Sequence, residues 1–116
     1  MRDQITQYLA TRNKVSFPEL VEMIPESLGE RMLFSDNESL ILWEGMSELF
    51  VEAIESLLAD GVIVLQPISL IEFQQINAFG RYRSLDYPVA KRIQNYTKPH
   101  WIPALVCRGD MPARRR

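Results

Sequence analysis

Apolar positions follow a helical period in three places along this chain, most regularly in the stretch WEGMSELFVEAIESLLADGVIVL at 43–65. At about 100° per residue, Met46, Phe50, Ala53, Ile54, Leu57 and Leu58 share one broad face, which predicts an amphipathic helix turned to a core. Ser47 stands ahead of it as an N-cap, because its hydroxyl can accept from an amide that the first turn leaves without a partner. Asp60-Gly61 closes the helix, since glycine takes the left-handed conformation after a helix end without a steric penalty. Val62, Ile63, Val64 and Leu65 come directly after, and this largely β-branched run predicts a short buried strand. The remaining elements are expected to pack around this helix-to-strand unit.

Two shorter helices come first. Ile5, Tyr8 and Leu9 recur at i, i+3 and i+4, predicting a helix over 3–12 that stops at Asn13, with Lys14 and Val15 extended after it. Ser16-Phe17-Pro18-Glu19 has the S-x-x-E pattern of a capping box with proline in the first turn. Leu20, Val21, Met23 and Ile24 would be its buried side, and Pro25 its stop. The segment 25–46 is the least regular: 26–33 fits a helical turn or two, 35–39 is a polar turn, and 40–43 fits a strand, with Trp43 as a core anchor.

Beyond Leu65, Gln66-Pro67 should break the strand, and the segment after it reads in two ways. Ser69-Leu70-Ile71-Glu72 can cap a helix running to Ala78. Alternatively, and by preference, 70–75 is the first arm of a hairpin that turns at 77–80 and returns over 81–87. The run Lys98-Pro99-His100-Trp101-Ile102-Pro103 is too rich in proline for a helix or a central strand, so 102–106 is expected to pair at a sheet edge. The end, 108–116, is expected to be a mobile basic tail.

Composition narrows the picture. A chain of 116 residues, 47% hydrophobic, can bury one modest core, expected as a single domain over 1–107 with 25–46 inserted in it. No run of about 18 apolar residues occurs, which argues against a membrane-spanning helix. The polar, periodic N-terminus does not look like a secretory signal, and the expected compartment is the cytoplasm. With one cysteine, Cys107, and one histidine, His100, the chain can form neither an internal disulfide nor a Cys/His metal cage, and no metal or cofactor is expected.

Charge is distributed unevenly behind a net value of −2. Residues 1–60 hold four Lys/Arg against twelve Asp/Glu, whereas 61–116 hold nine against three. Such halves attract each other, within one molecule or between two copies.

The helices at 5–9, 16–24 and 47–61, together with a strand at 62–65 and a wing-like segment, resemble the winged-helix (winged helix-turn-helix) superfamily over roughly 3–87. That resemblance implies an α+β fold of three helices plus a small antiparallel sheet with a wing, and a function in binding DNA or, in some members, protein. Two departures stand out. The insertion between the second and third helices is long, and the outer face of the third helix is acidic. Glu44, Glu48, Glu52 and Glu55 succeed each other at i+4 and i+3 steps, with no Lys or Arg from Glu44 to Gly61. DNA affinity comes largely from neutralised phosphates, which such a stripe would repel, so the third helix is not expected to read DNA. The stripe reads either as an ordinary solvated face or as a docking face for a basic protein partner, with self-association through the chain's opposite charges a further use.

If nucleic acid is the partner, Arg81, Arg83, Lys91, Arg92 and Lys98 are the candidate contacts, because they alternate with Tyr82, Tyr87, Tyr96 and Trp101 in the manner of backbone-binding and base-stacking surfaces. Catalysis has little to build on. His100 has no nucleophile elbow, glycine-rich phosphate loop or H-E-x-x-H beside it, and no catalytic residue is assigned.

Overall fold

Strands from the beginning, middle and end of the chain, Lys14–Ser16 (β1), Ile63–Pro67 (β4) and Ala104–Arg108 (β6), meet in one antiparallel sheet in the order β1-β6-β4. The last strand is therefore the central one. This is the arrangement in a computed structural model that describes residues 1–76 and 84–109. A second sheet holds Leu28–Phe34 (β2), Leu40–Met46 (β3) and His100–Trp101 (β5), with β3 antiparallel to β2 and parallel to β5. Four helices accompany them: Arg2–Arg12 (α1), Phe17–Met23 (α2), Glu48–Ala59 (α3) and Leu70–Ile76 (α4). The class is α+β, with two small sheets where one antiparallel sheet was expected.

The helix starts obey local capping chemistry. Ser47 Oγ accepts from Phe50 N at 3.2 Å and Ser16 Oγ from Glu19 N at 3.3 Å. Asn13, left-handed at φ 56°, ends α1, and Gly61 at φ 72° comes after α3. Ile5 and Leu9 of α1, Phe17 and Leu20 of α2, and Phe50, Ile54 and Leu57 of α3 cluster on Val15, Ile63 and Val106 of the first sheet. Each such fully buried side chain contributes roughly 1.5–3 kcal/mol against leaving it in water. A smaller cluster gathers Ile41, Phe73, Leu85, Trp101 and Leu105, and Trp43 packs against both, joining them as the expected anchor.

Several expectations are corrected. Residues 70–76 form α4, a fourth helix, not a hairpin arm. Ser69 N donates to Glu72 Oε1 and Glu72 N to Ser69 Oγ, both at 3.1 Å, a complete capping box ahead of good helix formers. The turn at 77–80 and residues 81–83 of the expected returning arm lie outside the described residues, and its remainder, 84–87, is not a strand.

The insertion 25–46 contains one 3₁₀ turn, Pro25–Ser27, and then the β2–β3 hairpin, so 28–33 is strand where helical turns were expected. Its polar turn is as anticipated: Asn37 Oδ1 accepts from Ser39 N, and Ser35 Oγ from Asn37 N, at 2.9 and 3.1 Å. Gln66-Pro67 does not break β4, because Pro67 closes an edge strand where its missing N–H is not needed. Ile63 is buried but Val62 and Val64 are exposed, so β4 is half-buried. Met23 is likewise exposed at the end of α2. The segment expected at a sheet edge supplies the central strand instead, once the chain has cleared Pro103. Arg108 belongs to β6 and not to the tail, of which 110–116 lie outside the described residues.

No helix among the described residues is long and apolar enough to cross a membrane.

Candidate functional site

Helix α3 converts sequence spacing into a surface array. At 100° per residue, Glu48, Glu52 and Glu55 fall within about 60° of one another around the axis. All three are exposed, on the side away from Phe50, Ile54 and Leu57. The ridge is framed by a cation at each end. Arg31 of β2 reaches Glu48 at 3.0 Å, and Arg2 of α1 bonds Ser56 Oγ at 2.6 Å and Asp60 at 2.9 Å. Between them, Glu52 and Glu55 have no ion-pair partner among the described residues. Arg31 and Glu48 are both exposed, so this pair adds little to stability; it offsets the charge of Glu48 and leaves Glu52 and Glu55 as the carboxylates of the ridge outside any ion pair between described residues.

Glu44 does not belong to the ridge. Its i+4 spacing to Glu48 fits a helix, but hairpin pairing keeps it in β3, which continues through Gly45, at φ 77°, to Met46 before Ser47 caps α3. The Glu44 carboxylate accepts from Tyr87 Oη at 3.4 Å, on the rim of an apolar groove lined by Pro18, Val21, Trp43 and Leu85. Burial, and next to it the charge of Glu44, pushes the Tyr87 hydroxyl above its usual value. Tyr8 shows the same effect: burial first, then its hydrogen bond to Glu19, raise its pKa, while Arg12 pairs with Glu19 at 2.8 Å.

The basic candidates are arranged differently. Arg81 and Arg83 lie outside the described residues. Lys91, Arg92 and Lys98 are exposed on an irregular stretch, 89–99, rather than on one face of a regular element. Local bonds hold that stretch in place: Asn37 Nδ2 donates to Gln94 O at 2.8 Å, and Tyr96 N to Ser39 Oγ at 3.0 Å. Its aromatic groups are occupied with one another. Tyr96 stacks on His100 with ring centroids 3.8 Å apart, and His100 Nδ1 lies 2.9 Å from Lys98 O. Trp101 is fully buried, edge-on to Phe73 at 5.0 Å and tilted against Trp43 at 5.9 Å. It serves packing and is not a platform for a base.

The three ion pairs between described residues, Arg2–Asp60, Arg12–Glu19 and Arg31–Glu48, all lie within the first sixty residues. The expected attraction between acidic and basic halves therefore takes no part in these pairs. No group of three or more His, Cys, Asp or Glu among the described residues is placed to hold a metal ion. Cys107 is buried on β6, with its Sγ 3.8 Å from Gln66 Oε1.

Sequence reasoning missed a second feature beside the ridge. A groove of about 610 Å³ runs along β4, with Phe34, Asp36, Glu55 and Leu58 among its walls. The signal was present, since Val62 and Val64 alternate with Ile63 and Leu65, and alternation in a strand sends every second side chain to the other face. Comparison with protein-family models, curated proteins and solved structures finds no match to this chain.

Proposed function

We propose that the chain is a non-enzymatic, winged-helix-like interaction module that docks a basic protein partner on the outer face of α3. The winged-helix likeness is supported by the run α1, β1, α2, then α3 and β4, with β1 and β4 flanking a later strand in the order β1-β6-β4. The β2–β3 hairpin is the insertion in that plan, and α4 with 84–103 stands where a wing would connect β4 to β6. The observation that carries the function is the ridge itself. Glu48, Glu52 and Glu55 face water in register on a capped, packed helix, and a phosphate backbone would be repelled there.

Fluorescence anisotropy with two labelled probes, a lysine-rich peptide and a short DNA duplex, tests the proposal at physiological ionic strength. The peptide should bind and the duplex should not. The triple variant E48Q/E52Q/E55Q should weaken the peptide about ten-fold, since three exposed charge pairs at roughly 0.5 kcal/mol each amount to that factor. Duplex binding that is lost on neutralising Lys91, Arg92 and Lys98, with the peptide unbound, would replace this reading with a DNA-binding one.

A further inference from the structure

Among the described residues four strands stand at sheet edges, and three of them are guarded against further pairing. β1 has three residues and carries Lys14, whereas β5 has two and is bridged on Trp101 by Val89. β2 carries Glu30 and Arg31 and shifts register three times against β3. Charge, shortness and bulging are the ordinary ways in which edges are kept single. β4 has none of these along Ile63-Val64-Leu65-Gln66, and it pairs with β6 without a register shift. Among the described residues its only guard is Pro67, the last residue of the strand.

The direction of its open hydrogen-bonding groups is set by the ladder. Val62 O accepts from Gly109 N at 2.8 Å and Ile68 N donates to Pro103 O at 2.9 Å, so by alternation Val64 and Gln66 turn toward β6. The N–H and C=O groups of Ile63 and Leu65, and the Pro67 carbonyl, then face the free side. That side is the groove bounded by Phe34, Asp36, Glu55 and Leu58. Val64 is 46% exposed and Phe34 39%, so an entering strand would meet apolar surface as well as backbone.

We propose that the free edge of β4 takes an extended, lysine- or arginine-bearing segment of a partner protein as a fourth strand of the β1-β6-β4 sheet. The proposal rests on the interaction-module reading and locates where the partner's backbone sits. Charge selects this occupant over a second copy. The charged residues lining the groove are Asp36 and Glu55, with Glu52 one turn away on α3, and a second copy pairing here would bring the same carboxylates with it. A strand that alternates apolar and basic residues would place one set against Val64 and Phe34 and offer the other to the carboxylates.

The test uses the full chain and a fluorescein-labelled peptide alternating valine and lysine. Two control peptides accompany it, one with glutamate in place of lysine and one N-methylated along one edge so that it cannot join a ladder. The first should bind, and both controls should bind about ten-fold more weakly or worse: the N-methylated peptide because it loses one or two backbone hydrogen bonds, and the glutamate peptide because it sets like charges against Asp36 and Glu55. Hydrogen exchange at the Ile63 and Leu65 amides should slow with the first peptide only. V64K, at an exposed site, should keep the melting temperature and weaken binding by a similar factor. Binding of the lysine peptide that spares the Ile63 and Leu65 amides, or that survives N-methylation, overturns the edge site and leaves the acidic-ridge reading standing. Protection of those amides without peptide, in a dimer that forms with rising concentration, makes a second copy the occupant and overturns the basic partner. Failure of all three peptides to bind overturns the proposal as a whole.

Discussion

Three carboxylates on α3 and three cations in 89–99 are equally numerous, yet only the carboxylates make an array. Glu48, Glu52 and Glu55 sit on a helix capped by Ser47 and fixed by Phe50, Ile54 and Leu57, so their spacing in sequence becomes a spacing in space. Lys91, Arg92 and Lys98 sit on a path with no repeating geometry, held by single bonds to the 35–39 turn and by the burial of Trp101. A tally of charge by halves treats the two regions alike. What separates them is whether a regular element lies under the charge.

The strongest way to break this contrast is to remove the anchor of the basic region. Trp101 is fully buried between Trp43 and Phe73, and W101A should lower stability by about 3–5 kcal/mol in urea unfolding. Amide exchange in 89–99 should rise before that of α3. If both regions loosen together, they are one cooperative unit and the contrast fails.

A smaller effect should come from the junction that orients α3. A Cβ on Gly29 would stand 2.6 Å from Ser47 Cα and 2.7 Å from Met46 O, both backbone atoms that cannot swing aside. G29A should therefore cost about 1–3 kcal/mol by overpacking the hairpin against the start of the helix. A thermal melt unchanged from wild type would show that β2 does not set the position of the ridge.

Much of the acidic region was legible in the sequence because its determinants are local. The cap at Ser47, the period of Phe50, Ile54 and Leu57, and the stop at Gly61 can each be read within a few residues. Glu44 was misplaced because the 3.6 period was carried back past the cap at Ser47 into residues whose pairing, β3 with β2 and β5, is invisible to periodicity. The centrality of β6 was hidden for the same reason. Its partners, β1 and β4, are roughly ninety and forty residues away, and only closing those loops makes it the middle strand. The helix α4 is a different case: the capping box at Ser69 and Glu72 was visible, and local hydrogen bonds prevailed over the expectation of a wing hairpin.

Matched cap deletions sharpen the comparison further. S47A removes the hydroxyl that receives Phe50 N and should cost about 1 kcal/mol, measured by chemical denaturation. S39A removes the hydroxyl that receives Tyr96 N and should cost about half of that or less, since it touches a half-buried loop contact and no helix end. Its effect should be seen instead as faster exchange of the Tyr96 amide. Equal losses from the two would mean that the loop is as deeply integrated as the helix.

The smallest expected effect concerns pH, at the contact where the segment leading into the basic stretch touches the acidic half. Tyr87 donates to Glu44, and burial together with that carboxylate raises its pKa in the folded chain above the ordinary value near 10. The folded state therefore holds the proton more tightly than the unfolded state. The resulting stabilisation is fully present below about pH 10 and is lost as pH rises through the folded value, because tyrosinate beside Glu44 would be a like-charge pair. Y87F should flatten part of this alkaline decline while leaving stability near neutral pH almost unchanged, apart from its one long hydrogen bond. Tyr8, raised by burial and Glu19, supplies an internal control, since Y8F removes a contact between α1 and α2 that lies away from the basic stretch. Unfolding curves and amide exchange collected from about pH 8 to about pH 11, spanning the ordinary tyrosine value, should show that Y87F alters exchange in 84–99, whereas Y8F alters the helices. An identical pattern from both would mean that the tyrosine–glutamate contacts report on one global equilibrium rather than on two separable regions.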